Sequence, residues 1–273
     1  LATTGMVADL AREIAADAAP VEALMASGVD PHLYKARESD VRRLADADLV
    51  FMNGLHLEAK MGQVLRKIGR SRPVVAIAET LPEDRLIVVD EASGAHDPHV
   101  WFDVSLWADT IPAVTDALAE QIPEQAAGIR ERAAALRTRL DELDGWVEEQ
   151  IASIPEDRRV LVTAHDAFGY FGRRYGMQVV GVQGISTAGE AGVRDVERVI
   201  DLVAERGIPA IFVESSVPKR TVQAVVSGCA ARGHEVSVGG ELYSDSMGPP
   251  GTREATYEGM VRHNVTTIVE ALR

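Results

Sequence analysis

The sequence predicts an α/β protein of two lobes, each a mostly parallel sheet flanked by helices, joined by a long backbone helix. Short apolar runs alternate with helix-length amphipathic segments in both halves of the chain, the pattern of parallel strands with helical crossovers. Between the halves, residues 123–154 keep one apolar stripe at Ile129, Ala133, Leu136, Leu140, Leu143, Val147 and Ile151. Steps of three or four residues hold such side chains on a single helical face. A chain of 273 residues that is 46% hydrophobic can bury a sizeable core. The expected divisions are 1–121 for the N-terminal α/β lobe, 122–155 for the linking helix and 156–273 for the C-terminal α/β lobe.

Taken in order, residues after Thr3-Thr4 read as a helix to about Ala19, with Met6, Leu10 and Ile14 on one face. An extended Val21 to Met25 precedes a loop. Helical spacing returns over Glu38 to Ala47, and Leu49-Val50-Phe51-Met52, closed by Asn53-Gly54, reads as a buried strand and turn. A helix over Leu57 to Ile68 and a strand over Val74 to Ile77 follow. Asp103 is placed to cap a helix running to about Glu120, because its carboxylate can accept the free N–H groups of a first turn. The second lobe repeats the rhythm: strand Val160 to Val162, helix Ala167 to Tyr175, strand Gln178 to Val182 and helix Val193 to Arg206. Next come strand Ala210 to Val213, helix Pro218 to Arg232, a strand near Val236 and helix Ala255 to Leu272.

Composition excludes several function classes. The 28 basic and 42 acidic residues give a net charge of -14, which repels nucleic acid and anionic membrane and favours cations. No stretch approaches the roughly 18 uninterrupted apolar residues of a membrane span. The N-terminus shows no basic-then-apolar export segment, so the expectation is that any export signal was removed, as in a mature or trimmed form, or was never there. Cys229 is the only cysteine, which leaves no disulfide framework and no thiolate cluster; it reads as a buried structural thiol in an apolar helical stretch.

Two short segments echo each other: Val29-Asp30-Pro31-His32 and His96-Asp97-Pro98-His99. Proline fixes its own φ and pushes the preceding Asp into an extended conformation, so each following His sits on a stiffened loop. Rigid histidines from distant segments are how a metal site is assembled, because each imidazole must arrive already aimed. Spacing alone fits two ordinary loop histidines equally well. His56, His234 and His263 take the ordinary reading, and His96, across the Asp-Pro turn, is expected to face solvent. His165 follows the strand at 160–162, where α/β folds place ligands, although capping the next helix is the plain alternative. Asp245 lies in the glycine-bounded loop Gly239-Gly240-Glu241-Leu242-Tyr243-Ser244-Asp245, where Asp is ordinarily a turn residue. Asp30, Asp97 and Asp166 neighbour these histidines and either accept a ring N–H or hold the turns. Trp101 and Phe102 are expected in the lobe interior, and Ser186, Thr187 and Glu190 as helix-capping loop residues.

The chain resembles the TroA-like (cluster A-I) zinc and manganese solute-binding proteins of metal ABC importers. The resemblance rests on Val29-Asp30-Pro31-His32-Leu33-Tyr34, Ala47-Asp48-Leu49-Val50-Phe51, Asn53-Gly54-Leu55-His56-Leu57-Glu58 and Asp97-Pro98-His99-Val100-Trp101. In the second half it rests on Val162-Thr163-Ala164-His165-Asp166-Ala167-Phe168-Gly169-Tyr170-Phe171, Val213-Glu214-Ser215-Ser216-Val217-Pro218 and Gly240-Glu241-Leu242-Tyr243-Ser244-Asp245. It runs in order from about Thr3 to the C-terminus. It implies one metal ion in the cleft between the lobes, held by His32 and His99 from the first and His165 and Asp245 from the second. Three imidazoles and one carboxylate suit Zn(II), with Mn(II) as the alternative; Ca(II) and Mg(II), which want oxygen shells, are disfavoured. The segment from Glu83 to Asp97 holds only His96, so the long His-rich loop of many zinc-specific relatives is missing. His rather than Glu at position 165 nevertheless differs from the manganese-dedicated pattern.

The implied function is capture of a divalent metal outside the cytoplasm and delivery to an ABC transporter membrane permease. The expected location is periplasmic or extracellular, with lipid anchoring open, and a monomer is expected. The competing class is a metal-dependent hydrolase at the same site. A catalytic zinc keeps a position open for water, whereas four protein ligands close the shell. The sequence also has no His-Glu-x-x-His, no Gly-x-Ser-x-Gly and no phosphate-cradling glycine loop, so no enzyme is expected. A long spine implies rearrangement of loops such as 239–248 rather than wide hinge closure.

Overall fold

The computed structural model describes residues 1–273 except Glu91 and Ser93. Helix α1 (Gly5–Ala15) starts at Thr4, whose hydroxyl accepts the Val7 N–H at 3.4 Å. Met6, Leu10 and Ile14 are buried on its inner face. Helix α2 (Glu38–Asp46) leads into β1 (Val50–Met52), and helix α3 (Gly62–Ile68) into β2 (Val74–Ala76). Strands β1 and β2 pair parallel, and Ala2 bridges both Ala23 and Phe51 in the parallel sense.

Helix α3 is shorter than the Leu57 start read from periodicity. Leu55 and His56 take φ of 50° and 68°, which folds the chain back on itself. The turn delivers Glu58, 2% exposed, to the Thr3 hydroxyl at 2.6 Å and to the N–H groups of Asn53 and Gly54 at 2.8 and 3.1 Å. A buried carboxylate needs those donors, and the need overrides local helical spacing. A second departure is the antiparallel pair β3 (Val88–Asp90) and β4 (Ala95–His96), which periodicity did not reveal. A third is the helix after Asp103, which is two helices, α4 (Val104–Ala108) and α5 (Ile111–Gln121). Pro112 lacks the N–H that would bond the Ala108 carbonyl, so one continuous helix is interrupted there. Asp103 does cap α4, accepting the Leu106 N–H at 3.0 Å.

Helix α6 (Ala126–Ala152) is 27 residues long, about 40 Å at 1.5 Å per residue. All seven stripe residues from Ile129 to Ile151 are buried. They join one apolar core that runs from α1 through α4, α5 and α6 to the C-terminal helix, so both lobes pack on the same spine.

The second lobe contains β5 (Val160–His165), α7 (Gly169–Tyr175), β6 (Gln178–Gln183), α8 (Val193–Arg206), β7 (Ala210–Glu214), α9 (Arg220–Ala231), β8 (Ser237–Leu242) and α10 (Tyr257–Leu272). Strand β5 pairs parallel with β6, β7 pairs parallel with β8, and β5 lies beside β7. Cys229 is fully buried in α9, as its apolar neighbours implied. Strand β5 extends beyond Val162 and ends on His165, while β7 ends on Glu214. The two residues therefore meet at the C-terminal edge, where α/β sheets present ligand-binding groups. In β8 the register skips Gly239, and a Cβ there would lie 2.8 Å from the Phe212 ring. Glycine permits the bulge, which re-aims the strand toward the loop bearing Asp245.

Candidate metal centre

Both Asp-Pro-His segments fold alike. In each, the Asp carboxylate accepts the backbone N–H of the His two residues on, at 2.8 Å for Asp30 and His32 and 2.9 Å for Asp97 and His99. This Asx-turn, with proline locking φ inside it, fixes the backbone from which each imidazole projects. Asp97 Oδ1 also accepts His99 Nδ1–H at 2.7 Å, and Asn53 Nδ2 donates to the Pro98 carbonyl at 3.0 Å. His165 is held by Glu214, whose Oε1 accepts its backbone N–H at 2.8 Å and whose Oε2 accepts Nδ1–H at 2.5 Å. A carboxylate on Nδ1–H fixes which nitrogen keeps its proton, so Nε2 is the atom that His99 and His165 offer to an ion.

The donor atoms converge. His32 Nε2 lies 3.2 Å from His99 Nε2 and 3.8 Å from Asp245 Oδ2. His99 Nε2 lies 3.3 Å from Asp245 Oδ1, and His165 Nε2 lies 3.4 Å from Asp245 Oδ2. One donor atom from each of the four residues falls within 4.8 Å of the others. Zinc–ligand bonds of about 2.0–2.1 Å at tetrahedral angles separate the ligands by roughly 3.3 Å. The cage has that size.

His99 and His165 are fully buried, and His32 and Asp245 are 4% and 2% exposed. Among the described residues, His165 Nε2 and both Asp245 oxygens lack a hydrogen-bond partner. The 3.3 and 3.4 Å approaches are charge contacts rather than aligned hydrogen bonds. A buried carboxylate without hydrogen bonds carries a desolvation cost of several kcal/mol, which a cation at the centre of the cage would offset. The donor set therefore fits a metal ion.

Burial and charge divide the imidazoles. Desolvation lowers His32 to about 4, only partly offset by Asp245. At His99 desolvation also acts downward, but the Asp97 and Asp245 carboxylates outweigh it and raise the ring to about 9. His165 is raised well above its ordinary value, desolvation being overcome by Glu214 and Asp245. Asp245, which burial alone would raise, is held well below the carboxylate range by His165 and His99.

Of the seven histidines, the structure brings together His32, His99 and His165. His56 is exposed, His96 sits half-buried in β4, and His234 and His263 spend Nε2 on the carbonyls of Ile208 and Glu241 at 2.9 Å each. Trp101 is buried as expected, but it also stacks edge-on at 5.2 Å from His99 and donates Nε1–H to the Ser244 carbonyl at 3.1 Å. Asp166 leaves the His165 ring to Glu214, a role sequence reasoning missed. Thr187 is not a helix cap: the N-cap of α8 is Gly192, whose N–H donates to Asp195 Oδ2 at 2.9 Å. Its hydroxyl instead donates to Asp30 Oδ2 at 2.6 Å, across the lobe boundary.

Two α/β lobes on a helical spine, with a His-His-His-Asp cage between them, define the class of a metal-binding protein, and comparison with known proteins places it among metal-binding transport components. The chain belongs to the ZnuA family, zinc-uptake complex component A, periplasmic, whose family model matches residues 1–271. It is 50% identical over 270 residues to the zinc-binding protein TroA of Treponema pallidum (strain Nichols), covering 99% of this chain and 87% of that one. It is 48% identical over 272 residues to the manganese-binding lipoprotein MntA of Bacillus subtilis (strain 168), covering 100% of this chain and 89% of that one. The structure of the periplasmic zinc-binding protein TroA from Treponema pallidum superposes with a TM-score of 0.96 at 49% identity, covering 99% of this chain and 97% of that one.

Proposed function

We propose that this chain captures a divalent transition-metal ion outside the cytoplasm and delivers it to the membrane permease of an ABC importer. His32, His99 and His165 through Nε2, and Asp245 through its carboxylate, are the ligands. The observation that carries this reading is the buried Asp245 carboxylate, both oxygens without hydrogen-bond partners among the described residues, facing three imidazole nitrogens. Three neutral nitrogens and one oxygen favour Zn(II) over Mn(II), which prefers more oxygen. Relatives of nearly equal identity are named for each metal, and the donor set is what supports ranking zinc first.

The protein acts by binding alone, because four protein donors leave no tetrahedral position open for a reacting water. All four come from one chain, so a monomer suffices. The shared core around α6 makes the spine stiff and assigns the loaded-to-empty signal to the ligand loops. Elemental analysis of the purified protein, followed by chelator-competition titration with Zn(II) and Mn(II), tests the reading. One tightly held zinc per chain is expected; stronger retention of Mn(II) reverses the metal order, and no stoichiometric metal refutes the function.

A further inference from the structure

Three of the four donor segments behave as one mechanical unit. His165 and Glu214 end neighbouring strands, and the Asp245 loop is tied down by Asn264, which accepts the Tyr243 N–H at 2.9 Å and donates to its carbonyl at 2.7 Å. The His99 loop comes from the first lobe, yet buried bonds fasten it to the second. Tyr170 Oη–H donates to the Asp97 carbonyl at 2.9 Å, Tyr257 Oη–H to the Trp101 carbonyl at 2.7 Å and Trp101 Nε1–H to the Ser244 carbonyl at 3.1 Å.

The His32 loop differs. A cavity of about 390 Å³ is lined by Met25, Ala26 and Val29 of this loop and by Met247 and Gly248 of the second lobe. Polar bonds cross between the two beside it. Ser27 Oγ–H donates to the Met247 carbonyl at 2.7 Å, and Gly28 N–H to Ser246 Oγ at 2.6 Å, both from exposed residues. The third bond runs from Thr187 to Asp30, and it alone reaches the side chain that holds the His32 backbone. Among the described residues, no carboxylate braces Nδ1 of His32 as Asp97 and Glu214 brace His99 and His165.

Thr187 is built for this contact. It is 8% exposed while Ser186 and Ala188 on either side are exposed. Gln183, the β6 partner of His165, donates Nε2–H to the carbonyls of Thr187 and Gly189 at 3.0 and 2.5 Å. The strand end beside His165 thereby holds the hydroxyl against Asp30.

We infer that Thr187 and Asp30 form a cross-lobe latch, positioning residues that set how fast His32, and with it the ion, leaves the cage. The inference rests on the metal-receptor reading above. His99, His165 and Asp245 stay assembled, and opening the latch frees the fourth ligand.

The test compares Thr187→Val, which keeps the shape and removes the hydroxyl, with Thr187→Ser, which keeps the hydroxyl, in the full chain. Zinc release into excess chelator is followed by stopped flow, and exchange of the His32 amide is measured in metal-free protein. Thr187→Val is expected to release zinc roughly 10-fold faster, as loss of one hydrogen bond to a charged acceptor implies. It is also expected to speed exchange of the His32 amide, with Thr187→Ser near wild type in both. Equal release from wild type and Thr187→Val, or equal acceleration by both substitutions, overturns the latch. Faster His32 exchange in a chain that retains neither Zn(II) nor Mn(II) supports the latch and overturns the metal-receptor reading instead.

Discussion

Glu214→Gln removes no volume, yet it is expected to damage the metal centre through a neighbouring hydrogen bond. Glu214 is 1% exposed and places one oxygen on the His165 backbone N–H at 2.8 Å and the other on Nδ1–H at 2.5 Å. Glutamine can satisfy only one of these. If its oxygen keeps the backbone N–H, its amide donates toward Nδ1, which moves the imidazole proton onto Nε2, the atom facing the ion. If the amide is flipped, it opposes the backbone N–H and that bond is lost. Loss of such a ligand-orienting partner weakens metal affinity by about 10- to 100-fold, equivalent to roughly 1.4–2.7 kcal/mol. Chelator-competition titration with zinc reads this directly, and far-UV circular dichroism checks that the fold is retained. A dissociation constant within about twofold of wild type refutes the assignment of Glu214 as the group that sets the His165 tautomer.

Other expectations follow from the same geometry. In the metal-free chain His99 is raised to about 9 and His165 is raised too, whereas His32 is lowered to about 4. Metal must displace protons held on the raised rings, so zinc affinity tightens as pH rises, by about 10-fold per pH unit for each proton displaced; a pH-independent constant contradicts the three-histidine site. Asp245→Ala removes the carboxylate that the described residues give the cage and is expected to weaken zinc binding; unchanged affinity means the fourth ligand is misassigned. Leu143→Ala, at a fully buried position on the spine, should destabilise the metal-free protein by about 2–5 kcal/mol in denaturant unfolding, and a loss below about 1 kcal/mol contradicts the shared core. X-ray scattering should give the same radius of gyration with and without zinc; clear contraction on loading contradicts a stiff spine.

Local pattern made the spine legible because each position of Ile129 through Ile151 faces the core by helical geometry alone. The Asp-Pro-His segments were legible as stiff loops for the same reason: proline and an Asx-turn act within three residues. The joining of His32 and His99 to His165 and Asp245 came through family resemblance, since no local spacing announces it. Glu214 was hidden because its carboxylate matters only once β7 lies beside β5, 49 residues away in sequence. Thr187 was hidden more deeply, as its partner Asp30 is 157 residues distant. The early helix start at Leu57 failed because buried Glu58 required a turn that gathers its donors. Tertiary demand on one charged group outweighed a helical apolar pattern.

Zinc-edge X-ray absorption on the loaded protein, paired with its anomalous diffraction map, tests the central claim most directly. The expected result is one ion bonded to Nε2 of His32, His99 and His165 at about 2.0–2.1 Å and to an Asp245 oxygen at a similar distance. An ion lying elsewhere, or a shell in which water replaces any of these four residues, contradicts it.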